Sequence, residues 1–297
     1  MLWQDLRPED FEEAVKRSKG LCVVPIGCLE KHGQHLPVGT DYYRAYTFAV
    51  EAAKVEEAVV FPTGFWLGDV SGYHAQKMDA ANNNHGGIGI KIETMLRILE
   101  ELCDEIARNG FTKILLFHSH GGNITMLKSF LRRQEMKKKP YATLYAWANN
   151  NGMNQPEPWL KAVTERREDF PMVTEEDIAT MERWKKTGYQ GGHANFIETA
   201  EILGKYPQLV AQDLYDAEDG LNNHRTDYMT ALGIHIYNDW GIRYPNMYSG
   251  AAPHGCTEGI GQAMIQISIE RAIRVYRMIK NDDTCLEAAK VLCDKQI

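Results

Sequence analysis

Residues 21–26, Leu-Cys-Val-Val-Pro-Ile, form an apolar run with no polar alternation, and the run stops at Gly27. A strand with one wet face alternates apolar and polar residues, whereas a strand covered on both faces does not. The run therefore predicts a buried strand of a parallel sheet, and parallel strands need long crossover connections, usually helices. The sequence supplies candidates. Residues 41–57 repeat Tyr42, Tyr46, Ala49, Val50 and Ala53 at helical spacing. Residues 58–62 read as a second strand. Residues 90–109 place Ile92, Met95, Leu96, Leu99, Leu102, Cys103 and Ile106 on one face, with Gly110 as the stop. Residues 113–117 are a third strand. A helix to about residue 138 follows, with Asn123 as its expected cap, and residues 141–148 are a fourth strand. Strand, helix, strand, helix predicts an α/β fold with a mostly parallel central sheet and helices on both faces.

Shorter helices are expected over residues 8–18, 174–185 and 194–204, and a long closing helix over 257–280. No internal repeat or low-complexity tract divides the chain. It reads as a single domain over residues 1–297, with residues 281–297 as a peripheral helix.

Polar residues gather where the apolar runs end. Glu30, His32, His35 and Asp41 follow Ile26, while His118 and His120 follow Phe117. Ligands of such sheets bind at the carboxyl ends of the strands, which places both clusters in one site. Imidazole and carboxylate together suit zinc, manganese or iron and do not choose among them. Glu30, His32, Asp41, His120 and Glu198 are too many ligands for one tetrahedral ion. They suit two divalent cations about 3.5–4 Å apart that share a carboxylate. Asp41, short and at a helix start, is the natural bridge. His118 and His120 are two apart and are expected on one face, where one could bind metal and the other support it, or His118 could be core. Gln34, His35 and Asn123 are expected to orient the ligands by hydrogen bonds from behind. Residues 64–89 form a long loop rich in Gly and Asn, within which His85 could line the pocket.

A net charge of −7 and a pI near 5.8 argue against a general nucleic-acid or anionic-membrane surface. No apolar run approaches the roughly 18 residues of a membrane span, and the N-terminus carries no secretory pattern. The six cysteines contain no C-x-x-C pair. The expectation is a cytoplasmic protein with reduced thiols, acting on a small molecule.

The motif Gly27-x-x-Glu30-x-His32-Gly33-x-His35-Leu36-Pro37, then Gly39-Thr40-Asp41, resembles the first signature of the creatininase (creatinine amidohydrolase) family. His120-Gly121-Gly122-Asn123 resembles its second, Asn-Gly-His-Gly-Gly-Asn, with His118 and Ser119 replacing the first two residues. Gly192-His193-x-x-x-x-Glu198-Thr199 resembles its third. Ser249-Gly250-Ala251-Ala252-Pro253 with Thr257-Glu258-Gly259 is similar to its last block.

The resemblance implies a three-layer α/β/α sandwich, often a hexamer, in which two metals serve a hydrolase of cyclic amides or formamides. A metal-bridging hydroxide held at Asp41 would attack the carbonyl. Glu30, His32, Asp41 and His120 would be ligands, His193 the proton shuttle, and Trp147 and Tyr189 would cover the substrate. Creatininase itself has a further metal-binding Glu where this chain has Gly122, and Glu198 is the expected replacement. The Glu that precedes the catalytic His in creatininase is Gly192 here, and the family's Phe-Pro-Gly-Thr loop reads Gly86-Gly87-Ile88-Gly89. Creatinine ring opening, formamidopyrimidine deformylation and peptide trimming all occur in the family by the same resemblance. The altered loop and Gly192 also admit a non-catalytic binding protein on the same fold.

Other chemistries find less support. Cys28, Glu30 and Lys31 suggest a nucleophilic hydrolase, yet they stand too close in sequence to face one another as a triad. His120-Gly121-Gly122 resembles an esterase oxyanion loop, yet no Gly-x-Ser-x-Gly elbow exists. Neither a Walker A motif nor a dinucleotide fingerprint is present.

Overall fold

The computed structural model describes residues 1–70, 86–137, 139–149, 156–187, 192–236 and 238–294. Among the described residues, four strands, β1 (Leu21–Ile26), β2 (Val59–Val60), β3 (Lys113–His118) and β4 (Ala142–Trp147), pair in the order β2-β1-β3-β4. Every pairing among them is parallel. Cys22 stands opposite Ile114 and Ile26 opposite His118. The apolar run is buried along its whole length, as a doubly covered strand requires.

The period of two sorts side chains onto two faces. Cys22, Val24 and Ile26 of β1, with Ile114 and Leu116 of β3, pack against α3 (Ile92–Arg108) and α4 (Asn123–Glu135). Leu21 and Val23, with Leu115 and Phe117, pack against α2 (Thr40–Val55) and α10 (Glu258–Asn281). The result is a three-layer α/β/α sandwich. The small residues Ala45, Ala49, Ala52 and Ala53 let α2 lie close to the sheet. A third apolar cluster joins α5 (Pro156–Glu165), α6 (Glu175–Lys186), α7 (Phe196–Lys205) and the start of α10. α1 (Phe11–Arg17), α8 (Asp227–Thr230), α9 (Asp239–Arg243) and α11 (Thr284–Asp294) are peripheral. No helix among the described residues is long and apolar enough to cross a membrane.

The strand order explains where a site can form. From β1 the chain crosses to β2 on one side and then returns to β3 on the other. The crevice outside the carboxyl ends of β1 and β3 is thus a topological switch point. The loops after Ile26 and after His118 both open into it.

Two local expectations change. Asn123 does not cap α4: Gly122 occupies that place, with no side-chain cap bond. The Asn123 amide instead accepts from Asp69 N at 2.7 Å and donates to Gly27 O at 3.3 Å, tying three loops together. His118 and His120 do not share a face, because the strand ends at His118 and its alternation stops there. The His118 ring lies 4.4 Å from that of Trp147 in the interior, while His120 turns to Asp41. Burial pulls the His118 pKa down to about 4.

α7 and α10 cross at Gly204 and Gly261. A Cβ on Gly261 would lie 1.8 Å from Ala200 O, a backbone atom that cannot swing aside. Helix propensity alone would make Gly261→Ala stabilising by about 1 kcal/mol. The clash outweighs this, and we expect a net loss of about 2 kcal/mol or more, given typical overpacking costs. Thermal denaturation followed by circular dichroism checks the sign; an unchanged or raised Tm would show that the two helices are not locked at this crossing.

Candidate metal centre

Asp41 sits in the first turn of α2, where the helix field favours a carboxylate. It is 2% exposed, so both oxygens need partners inside the protein. Oδ1 faces Arg44 Nη1 at 3.5 Å. Oδ2 meets His120 Nδ1 at 3.0 Å and the Cys28 thiol at 3.1 Å, with His32 Nε2 at 3.6 Å. The Asp41 backbone carbonyl also accepts the Ser119 hydroxyl.

Each of the three imidazoles here is tied to a backbone carbonyl by one nitrogen. His32 Nδ1 donates to Glu30 O at 3.1 Å, His120 Nε2 to Asp69 O at 2.7 Å, and His193 Nε2 to Lys31 O at 2.7 Å. A carbonyl only accepts, so the tethered nitrogen carries the proton and the other nitrogen is left for the site. These second nitrogens converge. His120 Nδ1 lies 3.0 Å from Glu30 Oε1, His193 Nδ1 lies 3.5 Å from the same oxygen, and His32 Nε2 lies 3.7 Å from Glu198 Oε2. The His32 and His193 rings stack with centroids 4.0 Å apart.

Glu198 arrives from the first turn of α7, which Asn195 caps by accepting from the amides of Ile197 and Glu198. Its Oε2 accepts from Ala194 N at 2.7 Å and its Oε1 from Arg44 at 2.7 Å. Arg44, which also bonds Glu201, therefore holds the outer oxygens of Asp41 and Glu198. Their inner oxygens face the imidazoles. Sequence reasoning missed Arg44 and Glu201, although each lies three residues after a candidate ligand on the same helix face.

Electrostatics follow from this crowding. Burial opposes charge on His32, but Asp41, Glu198 and Glu30 outweigh it and lift its pKa to about 9. His120 is raised in the same way against burial, by Cys28, Glu30 and Asp41. Asp41 is held well below the usual carboxylate range, its burial overcome by His32 and His120. His193 is lowered by burial and by the neighbouring charge of His32.

The donor set fits divalent cations. Cys28, Glu30, Asp41 and His120 offer donor atoms within 4.8 Å of one another, as do His32, Asp41 and Glu198, and Glu30, His32 and His193. His32 Nε2 is buried without a hydrogen-bond partner, and buried Glu30 Oε1 has the imidazole nitrogens of His120 and His193 beside it but no aligned hydrogen bond, an arrangement that is costly unless something else binds them.

Two departures from the expected motifs have a steric cause. At Gly122 a Cβ would stand 2.6 Å from both Asp69 O and His120 Nε2, so no longer side chain fits. At Gly192 a Cβ would lie 2.0 Å from Ser249 O, which bonds the amide of His193.

Above the centre lies a pocket of about 640 Å³. Trp147 lines it, as do Asn149, Trp240, Arg243 and Tyr244. Trp240, unforeseen from sequence, meets the His193 ring edge-on at 5.1 Å. Tyr189 and His85 lie outside the described residues. His35 bonds Thr199 Oγ1 at 3.0 Å, beside Glu198 rather than on it. Gln34 donates to Glu218 Oε1 at 2.9 Å, and the same oxygen takes Lys31. Both residues brace the loops, so their link to the ligands is indirect.

The sequence profile of the creatininase family, described as creatinine amidohydrolase, matches residues 4–276. The chain belongs to the creatininase family. A creatinine amidohydrolase of Pseudomonas putida is 22% identical over 213 residues, which cover 70% of this chain and 73% of that protein. Among solved structures, a manganese creatininase superposes with a TM-score of 0.66 at 17% identity, covering 95% of this chain and 99% of that one. A mutant creatininase of Zn-Zn type gives 0.67 at 16% identity, covering 95% and 98%. These likenesses establish the shared fold of the creatininase family member described here.

Because metal ligands bind as neutral imidazoles, metal uptake must expel protons. With His32 titrating near 9, it is protonated at pH 7 in the ion-free protein, so affinity should rise with pH up to that region. Calorimetric titration with zinc in two buffers of different ionisation enthalpy should show proton release. Heats that do not depend on the buffer would remove His32 and His120 from the ligand set.

Proposed function

We propose that this creatininase-family protein is a metal-dependent amidohydrolase that cleaves a C–N bond in a small cyclic amide or formamide. The reading rests on one observation. Three backbone-tethered imidazoles turn their second nitrogens onto a shared set of buried carboxylates, at the switch point of the sheet and beneath an open pocket. Glu30, His32, Asp41, His120 and Glu198 would hold two divalent cations, with Asp41 between them. When bound, such ions polarise a carbonyl and make water a nucleophile near neutral pH.

The remaining steps belong to the chain. His193, fixed by Lys31 O at Nε2 and stacked on His32, can exchange a proton only at Nδ1, which faces Glu30. Its lowered pKa keeps that nitrogen free to take a proton and pass it to the departing nitrogen of the substrate. Trp147 and Trp240 give the pocket flat apolar walls that suit a planar ring and exclude water. Asn149 lines the same pocket, and its Oδ1 is buried without a partner. It is placed to accept an N–H of the substrate. A pocket of this volume lies within the usual range for small ligands. Assembly as a homo-oligomer and a cytoplasmic location belong to the same reading.

Asp41→Asn should lose both turnover and metal, and His193→Ala should keep its metal while losing about 10²–10⁴-fold in rate, the usual worth of a positioned acid–base group. Elemental analysis of protein purified without chelator, beside hydrolysis of creatinine and a panel of cyclic amides and formamides, tests this. About two metals per chain with turnover of one of these substrates is expected. A fully metallated and active Asp41→Asn protein would end the proposal. Full metal content with no product from any amide would favour a binding protein.

A further inference from the structure

We propose that Cys28 is a thiolate ligand of one of the two cations, completing with Glu30, Asp41 and His120 a sulfur-containing position that favours zinc over manganese. The inference rests on the two-cation reading above and adds a ligand to it. Cys28 follows β1 by two residues and is fully buried. Its sulfur lies 3.1 Å from Asp41 Oδ2, the oxygen that also takes His120 Nδ1 at 3.0 Å. Glu30 Oε1 stands 3.0 Å from the same nitrogen. Ligands of one tetrahedral zinc stand roughly 3.3–3.8 Å apart, given bonds of about 2.0–2.3 Å. These three pairs are slightly closer than that and all four donors lie within 4.8 Å of one another, so a shared ion needs no large movement of the chain.

Two further observations point to a ligand here rather than a buried thiol alone. Glu30 is 4% exposed, and its Oε1 lies in this cluster with no aligned hydrogen bond, although His120 Nδ1 stands 3.0 Å away. His120 has Nε2 committed to Asp69 O, which turns Nδ1 toward the sulfur and the two carboxylates. Gly122 has no room for a side chain, so the loop after β3 supplies His120 and no carboxylate. Cys28 fills the fourth place from the opposite loop. The competing role is packing, since Cys28 also touches Val70 and Met247.

The two metal positions then differ in kind. One has sulfur, nitrogen and two carboxylates, and the other has His32, Asp41 and Glu198 with only nitrogen and oxygen. Thiolate selects softer ions such as zinc, while an oxygen-rich set accepts manganese. On binding, the S–H proton leaves to solvent and the sulfur donates its electron pair to the cation. No oxidant is needed.

The test uses the full-length protein stripped and reloaded with cobalt(II), with metal content measured alongside the spectrum. Wild type should show a near-ultraviolet thiolate-to-cobalt charge-transfer band. Cys28→Ser should bind metal without that band, and its preference for zinc over manganese should fall by about tenfold or more, as for other changes at a metal's immediate surroundings. Cobalt bound without the band, or a band that survives Cys28→Ser, would overturn the role of Cys28 and leave the two-cation reading standing. Failure of the protein to bind cobalt, zinc or manganese at all would overturn both. If Cys28→Ser does not fold, zinc-edge X-ray absorption of the unmodified protein decides. A sulfur neighbour at about 2.3 Å is expected, and a shell of nitrogen and oxygen alone would refute it.

Discussion

The arrangement at the switch point depends on one buried carboxylate, Asp41. Burying an ionised carboxylate is tolerable only when its oxygens are paired with charge or strong donors. The chain meets that demand from three directions: Arg44 one turn along the same helix, the loop after β1 with Cys28 and His32, and the loop after β3 with His120. Removing Arg44, His32 or His120 would leave charge uncompensated in the interior. Structural stability and the proposed metal chemistry would therefore draw on the same few atoms.

Backbone makes the rest of the centre rigid. Gly27, Gly68, Gly122 and Gly192 all lie where a Cβ would strike another part of the main chain. At Gly68 the struck atom is Gly27 O, so the loops after β1 and β2 rest directly on each other. Asn123 then fixes Asp69, and Asp69 O fixes the His120 ring. This is why a loop built of small residues can hold an imidazole in one orientation. The same closeness leaves no room for a side chain at position 122.

Much of this was legible in the sequence, for reasons that differ by element. The strands showed as apolar runs and the helices as periodic faces, because burial acts on side chains in register with the backbone. Glu30, His32, Asp41 and His120 showed because metal-binding residue types clustered just after strands. What did not show depends on approach between distant segments. Arg44 reads as an ordinary helix residue until α7 brings Glu198 and Glu201 against it. Trp240 lies on the short helix α9, whose sequence gives no hint that it covers His193. Asn123 read both as a cap and as a support for the ligands, and its amide is used between two loops, behind His120, rather than at its own helix end. Cys28 and Glu30 share a donor group while Lys31, the next residue, turns away to Glu218. Spacing alone could not separate those directions.

The distribution of unsatisfied atoms separates the two halves of the site. An unpaired buried polar atom costs about 1–3 kcal/mol. Deep in the centre these are His32 Nε2 and Glu30 Oε1, the latter beside an imidazole but without an aligned hydrogen bond, and both are atom types that can bind a cation. On the pocket wall they belong to Asn149 and Arg243, through Oδ1 and Nε, and neither type is a usual metal ligand. Arg243 is ion-paired to Asp239 through Nη2, so what a ligand could match here is the Asn149 acceptor and the single Arg243 Nε–H, with an N–H and a carbonyl of its own. Cation and substrate would thus be bound by separate sets of atoms, and the stability forgone at each set is recovered only when its own partner arrives.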